Sequence, residues 1–148
     1  MVDILHRIGV RSEPQTVYDK LATIEGLAEW WTTDTRGENV PDGTIEFRFG
    51  DRGQIDMKVL QLDPQRHVLW EVVGGPKEWI GSKVGFELQP DEDFTFVKFK
   101  HEGWQRPSEF MHHCSTKWAM FLVSIKSLIE DGEGAPYPRD VHITNKGD

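Results

Sequence analysis

The sequence predicts an α+β fold in which a curved antiparallel sheet of about six strands packs against one long C-terminal helix. Three observations predict it. Hydrophobic and polar residues alternate near the N-terminus, and several short segments with the same alternation follow, separated by turn residues. From about residue 108, hydrophobic residues recur instead at every third or fourth position. A sheet with one apolar face needs a cover, and only the last segment is long enough to provide it. The 148 residues fit a single domain with one core.

Two short helices are expected after the first strand. Residues 2–11 place apolar side chains at every second position, which is typical of a half-buried strand. Ser12 can cap a helix and Pro14 fits its first turn, and apolar residues then recur at helical spacing. Gly26 is expected to end this helix, and residues 27–31 are expected to form a second short helical turn.

The middle of the chain predicts an antiparallel meander. Short segments of alternating hydrophobicity are separated by glycine, proline and aspartate residues, as at 50–53 and 90–93. Connections this short join neighbouring antiparallel strands. The predicted strands are residues 44–49, 54–62, 67–73, 79–89 and 94–104.

The last predicted element is a long amphipathic helix. Its apolar residues recur at three and four from about residue 108 to residue 130 and form a broad stripe. Gly132 and Gly134 are expected to end it. We therefore expect a domain at residues 1–131 and an extended or mobile C-terminal tail at residues 132–148. The stripe consists of Met111, Cys114, Trp118, Phe121, Leu122, Ile125, Leu128 and Ile129.

Composition narrows the class of partner and the compartment. The 17 basic and 25 acidic residues give a net charge of −8, which argues against a nucleic-acid or anionic-membrane partner. No segment is apolar for the roughly 18 residues that a membrane span requires, and we expect no signal peptide because the N-terminus has no apolar segment of its kind. The single cysteine, Cys114, forms no internal disulfide, which predicts a reducing compartment and hence the cytoplasm.

Several motifs occur in a fixed order along residues 2–130. They are Pro14-x-x-Val17-Tyr18, Trp30-Trp31, Gly43, the segment V-L-Q-L-D-P-Q-R-H-V-L-W at 59–70, Thr95-x-Val97-x-Phe99-x-His101-Glu102-Gly103-Trp104, and Trp118, Leu122 and Leu128 in the last helix. Together these motifs resemble the START-like or Bet v 1-like (SRPBCC) superfamily, whose members have the helix-grip fold. Within that superfamily, the chain is similar to single-domain homologues of the activator of heat-shock-protein ATPase.

The resemblance implies a ligand cavity between the curved sheet and the long helix. The superfamily contains lipid carriers, hormone receptors, polyketide cyclases, stress proteins and co-chaperone domains, so the shared fold does not select one activity. We interpret the chain as a binding protein for a small hydrophobic or aromatic molecule. Two alternatives stay open: an acid–base enzyme similar to the cyclases, and a protein-interaction or co-chaperone-like module, including a homodimer. We expect a single domain without a second module to bind a chaperone, which argues against chaperone activation.

His6 and His101 are the two catalytic candidates that the predicted topology provides. Each shares the apolar face of its strand, and the first and last strands are expected to be neighbours, so both rings would point into the cavity. An imidazole there could orient a ligand or transfer a proton near neutral pH. The alternative is that each is a core histidine that hydrogen-bonds with backbone or water.

The segment His112-His113-Cys114 does not have the spacing of a metal site. Adjacent helical residues point about 100° apart, and zinc sites use spaced pairs of ligands. We therefore expect no metal and no cofactor. Cys114 lies on the apolar stripe and is expected to be a small buried hydrophobe rather than a nucleophile.

Two adjacent tryptophans, Trp30 and Trp31, end the second short helix. Neighbouring side chains do not share a face, so we expect one ring to pack beneath the long helix or sheet rim and the other to form a wall of the cavity entrance. Alternatively, both rings only stabilise a short helix that depends on tertiary packing. Other aromatic residues are expected to line the cavity. The predicted ligand-binding residues are His6, Trp30, Trp31, Trp70, Phe99, His101, Trp104, Cys114, Trp118 and Phe121.

Overall fold

The structure, a computed structural model, describes residues 1–144 as seven strands, three α-helices and connecting turns. The elements are β1 (Val2–Val10), α1 (Pro14–Ala22), α2 (Ile24–Trp30), β2 (Asp34–Gly37), β3 (Thr44–Arg48), β4 (Gln54–Asp63), β5 (His67–Gly74), β6 (Lys83–Asp91), β7 (Phe94–Trp104) and α3 (Glu109–Asp131). The strands form one antiparallel sheet in the order β1-β7-β6-β5-β4-β3-β2, and α3 is the long C-terminal helix that the sheet grips. The predicted α+β helix-grip fold is confirmed.

The sheet contains one strand more than the sequence predicts. β2 lies in the segment between residues 32 and 42 that the sequence predicts to be a loop, and it pairs with β3 through Thr35 and Phe47. Only one of its four residues is buried, so the strand has no apolar alternation by which it could be recognised. The start of β6 also differs, because residues 77–81 form a turn and the strand begins at Lys83 rather than at residue 79.

A glycine determines how closely the two short helices pack. The prediction that Gly26 ends the first helix is wrong: it lies inside α2, and its N–H donates to Oγ1 of Thr23 at 3.0 Å. A Cβ atom at Gly26 would lie 2.7 Å from the Cα of Lys20, so only glycine permits this approach. The predicted cap at Ser12 is also one position too early, since Glu13 occupies the N-cap position of α1.

The apolar stripe of α3 covers the sheet. Trp118 lies at the centre of this contact, with its ring 4.5 Å from that of Phe99 on β7 and 4.9 Å from that of Trp31 at the end of α2. Ser108 caps the helix by accepting a backbone hydrogen bond, and Gly132 ends it at a φ of 87°. The helix therefore begins and ends close to where the sequence predicts.

After α3 the chain runs back to the end of α2. The N–H of Tyr137 donates to the carbonyl oxygen of Trp31 at 2.8 Å, and the N–H of Thr33 donates to the carbonyl oxygen of Tyr137 at 3.1 Å. Residues 132–144 are called the tail below. The last part of the predicted tail, residues 145–148, lies outside the described residues.

Ser124 joins α3, α2 and the tail at one buried point. Its Oγ donates to the carbonyl oxygen of Trp30 at 2.8 Å and accepts a hydrogen bond from the N–H of Ala135 at 2.7 Å. Buried backbone groups need such partners, because an unpaired one is costly. The position of the double tryptophan and the path of the tail therefore depend on the same hydroxyl group.

We expect Gly26→Ala to destabilise the protein by roughly 1–3 kcal/mol, because the added methyl group would overlap the backbone of α1. In an unhindered helix the same substitution stabilises by roughly 0.5–1 kcal/mol, so the sign of the effect is diagnostic. Urea unfolding followed by circular dichroism measures the difference. A variant at least as stable as the parent would contradict the close helix contact.

Candidate functional site

An open pocket lies at the end of the domain where α3 begins. It has a volume of about 560 Å³. Five segments form it: the end of α2, the first turns of α3, the turn between β3 and β4, the loop between β5 and β6, and the tail. The lining residues are Trp31, Phe49, Arg52, Gly53, Gln54, Ile55, Gly75, Pro76, Trp79, Phe110, His113, Cys114, Lys117, Trp118, Phe121, Tyr137 and Asp140.

Aromatic side chains form the apolar wall of the pocket. The ring centre of Trp118 lies 4.9 Å from that of Trp31 and 5.9 Å from that of Trp79. Phe121, one turn further along α3, lies 6.4 Å from Trp31. These rings are rigid and offer a large apolar surface, which suits a planar or apolar ligand.

Charged side chains complete the pocket on the side of the tail. Lys117 of α3 and Asp140 of the tail form an ion pair that is largely buried, and Nζ of Lys117 also donates to the carbonyl oxygen of Val141 at 2.9 Å. Arg52, in the turn between β3 and β4, is exposed, and its guanidinium carbon lies 5.5 Å from the ring centre of Tyr137. The pocket is therefore apolar along its inner wall and carries charge where the turn and the tail meet.

The two adjacent tryptophans have different surroundings. Trp31 lines the pocket, and its ring lies 4.2 Å from that of Phe47 on β3. Trp30 does not line it: Nε1 donates to the carbonyl oxygen of Lys20 at 2.8 Å, and the ring meets the edge of Phe86 at 6.1 Å. Both rings are buried, but one completes the pocket wall and the other attaches α2 to α1.

His101 is fully buried and does not line the pocket. Nε1–H of Trp118 donates to its Nδ1 at 3.2 Å, so Nε2 carries the proton and donates to Oγ of Ser82 at 2.8 Å. Oγ of Ser82 donates in turn to the carbonyl oxygen of Trp79. Burial lowers the pKa of His101 to about 3, so the ring is neutral at pH 7. Both ring nitrogens are occupied, and the side chain connects β7 to α3.

His6 contacts α3 separately from His101. Its Nε2 donates to the carbonyl oxygen of Ser115 at 3.0 Å, and its ring stacks on Phe99 at 6.1 Å. Across the β1–β7 pair, His6 lies opposite Phe99, and His101 lies opposite Ile4. The two histidines therefore lie on neighbouring strands, but each binds a different residue of α3 and neither lines this pocket.

The ten predicted ligand-binding residues divide into two groups. Trp31, Cys114, Trp118 and Phe121 line the pocket, because three of them share one face of α3 and the fourth lies against that face. The others do not line it and lie elsewhere in the core or at its edge. They are His6, Trp30, Trp70, Phe99, His101 and Trp104.

Cys114 contributes an almost fully buried thiol to the pocket wall. Burial raises its pKa to about 12, against a smaller opposing effect of Trp79. The thiol therefore stays protonated at physiological pH. Since the thiolate is the nucleophilic form, Cys114 acts here as a small apolar surface.

The adjacent histidines His112 and His113 have separate surroundings. Nδ1 of His112 donates to the carbonyl oxygen of Ser108 at 2.7 Å, whereas the ring of His113 stacks on Phe110 at 6.4 Å. Within residues 1–144, no group of three or more His, Cys, Asp or Glu side chains is placed to hold a metal ion. In the same range, no helix has the length and apolar character needed to cross a membrane.

The turn between β3 and β4, the tail and the loop between β5 and β6 supply most of the pocket wall that the sequence did not predict. Phe49, Arg52 and Ile55 flank or form the turn between β3 and β4, while Tyr137 and Asp140 come from the tail. Hydrophobic periodicity carries no information about the contact between two segments so distant in the chain. The apolar residues on both sides of the glycine-containing turn were the one local signal that could have indicated part of this wall.

A curved antiparallel sheet that grips a long C-terminal helix, with an apolar pocket between them, defines a helix-grip protein of the SRPBCC or Bet v 1-like superfamily. The sequence profile of the family described as Activator of Hsp90 ATPase homolog 1-like protein matches residues 11–130. The chain therefore belongs to this family, and the resemblance in the sequence motifs is confirmed. Among curated proteins, none matches the chain.

Solved structures of similar proteins have the same fold. The Aha1 dimer from Colwellia psychrerythraea is 44% identical, with a TM-score of 0.84 over 90% of this chain and 100% of that one. Protein MLL2253 from Mesorhizobium loti is 17% identical, with a TM-score of 0.77 over 89% and 99% of the two chains. CalU16 from Micromonospora echinospora is 18% identical, with a TM-score of 0.77 over 95% and 73%. The last two comparisons show the fold alone.

The buried neutral His101 should make the protein less stable in mild acid. Its pKa is about 3 in the folded state against 6.5 for an ordinary histidine, so the unfolded state binds more protons between these values. The contribution of His101 to stability is complete above pH 6.5 and falls as the pH drops toward 3. We expect this group to account for a loss of roughly 2–3 kcal/mol between pH 7 and pH 4.5.

The variant His101→Gln isolates this effect. Its free energy of unfolding, measured in urea at both pH values, should depend less on pH than that of the parent, whatever its absolute stability. His112→Gln removes an exposed histidine and serves as the matched control, with the pH dependence of the parent. If His101→Gln and the parent lose equal stability in acid, the buried neutral ring is not the cause.

Proposed function

We propose that the chain binds a small hydrophobic or aromatic molecule in the pocket at the start of α3. The observation that carries the proposal is the pocket itself, with a volume of about 560 Å³ and a wall of Trp31, Trp79 and Trp118. Ligand sites in proteins have volumes of roughly 300–1,000 Å³, with mostly apolar linings and a few polar groups. The pocket has both properties.

The orientation of the rings supports a flat ligand. The planes of Trp79 and Trp118 differ by 20°, and that of Trp31 is tilted by 42° from Trp118. An aromatic ligand against this wall can stack on one ring and meet the edge of the next, as aromatic pairs prefer. Trp118 also donates a hydrogen bond to His101, so its ring is already fixed and loses little conformational entropy when a ligand binds.

Acid–base catalysis by the predicted histidine pair has less support than ligand binding. His6 and His101 each hydrogen-bond with α3 or its side chains, and neither reaches the pocket. Among the described residues, His113 is the histidine that lines it. We propose that the ligand is bound in the cytoplasm, in keeping with a chain whose one cysteine, Cys114, excludes an internal disulfide.

Titration calorimetry and thermal melting with a neutral flat probe, 2-naphthol, test the proposal. Binding to the folded state raises the melting temperature by an amount that grows with the logarithm of the ligand concentration above the dissociation constant, so heat of binding and a concentration-dependent rise are both expected. If neither 2-naphthol nor a panel of other flat apolar molecules produces heat or a shift, the proposal is wrong.

Paired substitutions of the two adjacent tryptophans locate the binding. Trp31→Phe reduces the apolar area of the pocket wall. It should weaken 2-naphthol binding by roughly threefold or more, the equivalent of one or two buried methylene groups. Trp30→Phe removes the hydrogen bond to Lys20, so it should lower the free energy of unfolding by about 1–2 kcal/mol without changing the affinity. Loss of stability in both variants with unchanged affinity would leave both rings a purely structural role.

A homodimer is a second candidate, favoured by one observation. The relative from Colwellia psychrerythraea, at 44% identity, is described as a dimer. In this chain β1 forms an edge of the sheet, and Leu5 on that strand is 64% exposed. Exposed apolar side chains on an edge strand favour association with a second chain.

We expect light scattering after size exclusion to give the mass of a dimer of the 17.1 kDa chain, and Leu5→Glu to shift it toward the monomer. A charge at the edge strand would oppose association because it must be desolvated in the interface. Val123→Glu, which changes an exposed apolar residue on α3, is the control and should leave the mass unchanged. A parent that is monomeric at about 100 μM would contradict the homodimer.

A further inference from the structure

We propose that the ligand of this pocket is an amphipathic monoanion, with a flat or elongated apolar body against the tryptophan wall and a carboxylate that binds Arg52 at the mouth. The inference rests on the proposed function of the pocket and names the class of ligand. It is carried by the distribution of charge around the pocket and by the way in which Arg52 is positioned.

The charges of the described ionic groups that line the pocket do not sum to zero. Lys117 and Asp140 neutralise each other in a largely buried ion pair. Arg52 also lines the pocket, and no carboxylate of residues 1–144 lies within 4 Å of its guanidinium. Among the described residues that line the mouth, one positive charge is therefore left over, although the whole chain has a net charge of −8. An unneutralised cation beside an apolar cavity is the arrangement expected for an anionic head group.

The backbone and Tyr137 together position Arg52. It ends a short 3-10 turn that begins at Gly50, whose φ is 58°. A Cβ atom at Gly50 would lie 2.5 Å from Oη of Tyr137, so glycine is what allows the tyrosine to come so close. The backbone of Tyr137 is in turn hydrogen-bonded on both sides to the end of α2 and the start of β2, and the guanidinium of Arg52 lies over its ring.

The guanidinium of Arg52 binds a carboxylate better than it binds other head groups. A guanidinium presents parallel N–H donors that match the two oxygens of a carboxylate. A cationic ligand would be repelled by Arg52, whereas the charge of Lys117 is compensated by Asp140. The negative net charge of the chain weakens anion binding little, because at physiological salt charges beyond about 8 Å are screened. One unneutralised cation on the described lining favours one negative charge on the ligand.

Two probes of equal shape, 2-naphthoate and its neutral analogue 2-naphthamide, test the inference by titration calorimetry. Both place a naphthalene ring against the wall, but only the acid carries a negative charge at pH 7.5. The parent protein should bind 2-naphthoate roughly three- to tenfold more tightly than 2-naphthamide, the range expected of a partly exposed charge-assisted pair. The preference should shrink when the salt concentration is raised to 0.5 M.

Arg52→Gln should remove the preference and leave the affinity for 2-naphthamide within about twofold of the parent value. Arg66→Gln, which removes the same charge from the exposed turn at the other end of β4, is the matched control and should keep the preference. The ratio of the two affinities is the decisive quantity, since a purely structural role of Arg52 would lower both affinities together.

The outcomes separate this inference from the function on which it rests. If the parent protein binds neither probe, nor any other flat apolar molecule, the proposed function itself fails. If it binds the amide as tightly as the acid, the pocket binds ligands but does not select anions, and the inference is overturned. If Arg52→Gln keeps the preference for the acid, or weakens both probes equally, Arg52 is not the group that binds the carboxylate.

Discussion

The contact between Trp118 and the concave face of the sheet determines where the interior is filled and where it stays open. From the middle of α3, the ring of Trp118 contacts Phe99 on β7 and Trp31 at the end of α2, and its N–H donates to His101. Sheet and helix are therefore in direct contact at their centre. A curved sheet cannot follow a nearly straight helix along its whole length, so a gap develops toward the start of α3, where the pocket lies.

The same contact separates the polar chemistry of the interior from that of the pocket. Hydrogen bonds with Trp118 and Ser82 occupy both nitrogens of His101, and burial keeps its ring neutral, so this histidine offers a ligand no charge and no free N–H donor. The charged groups on the pocket lining come instead from the turn between β3 and β4, the tail and α3, at Arg52, Asp140 and Lys117. Core contacts thus hold the scaffold together, whereas the turn, the tail and one lysine of α3 carry the charged groups of the pocket.

The sequence was sufficient for the architecture and for the helical part of the pocket. Residues three and four apart share a helix face, so the apolar stripe placed Cys114 and Phe121 beside Trp118. Lys117 lies on the same face, but its charge kept it out of an apolar pattern. Strand alternation assigned His101 to the correct side of the sheet and could not show what covers it, because alternation gives the direction of a side chain and not the distance to its neighbours. The residues at the mouth of the pocket could not be predicted from the sequence, because no hydrophobic periodicity indicates that the turn between β3 and β4 contacts the tail.

The attachment of the tail has an energetic consequence for the pocket. Tyr137 is part of the pocket wall, and the tail that carries it is held by two main-chain hydrogen bonds and by the Lys117–Asp140 ion pair. A ligand that touches Tyr137 stabilises the attached tail by the same free energy by which the attached tail strengthens the binding of the ligand, because coupling between two equilibria is reciprocal. A substitution that loosens the tail on the side facing away from the pocket therefore lowers ligand affinity without altering a single atom in contact with the ligand.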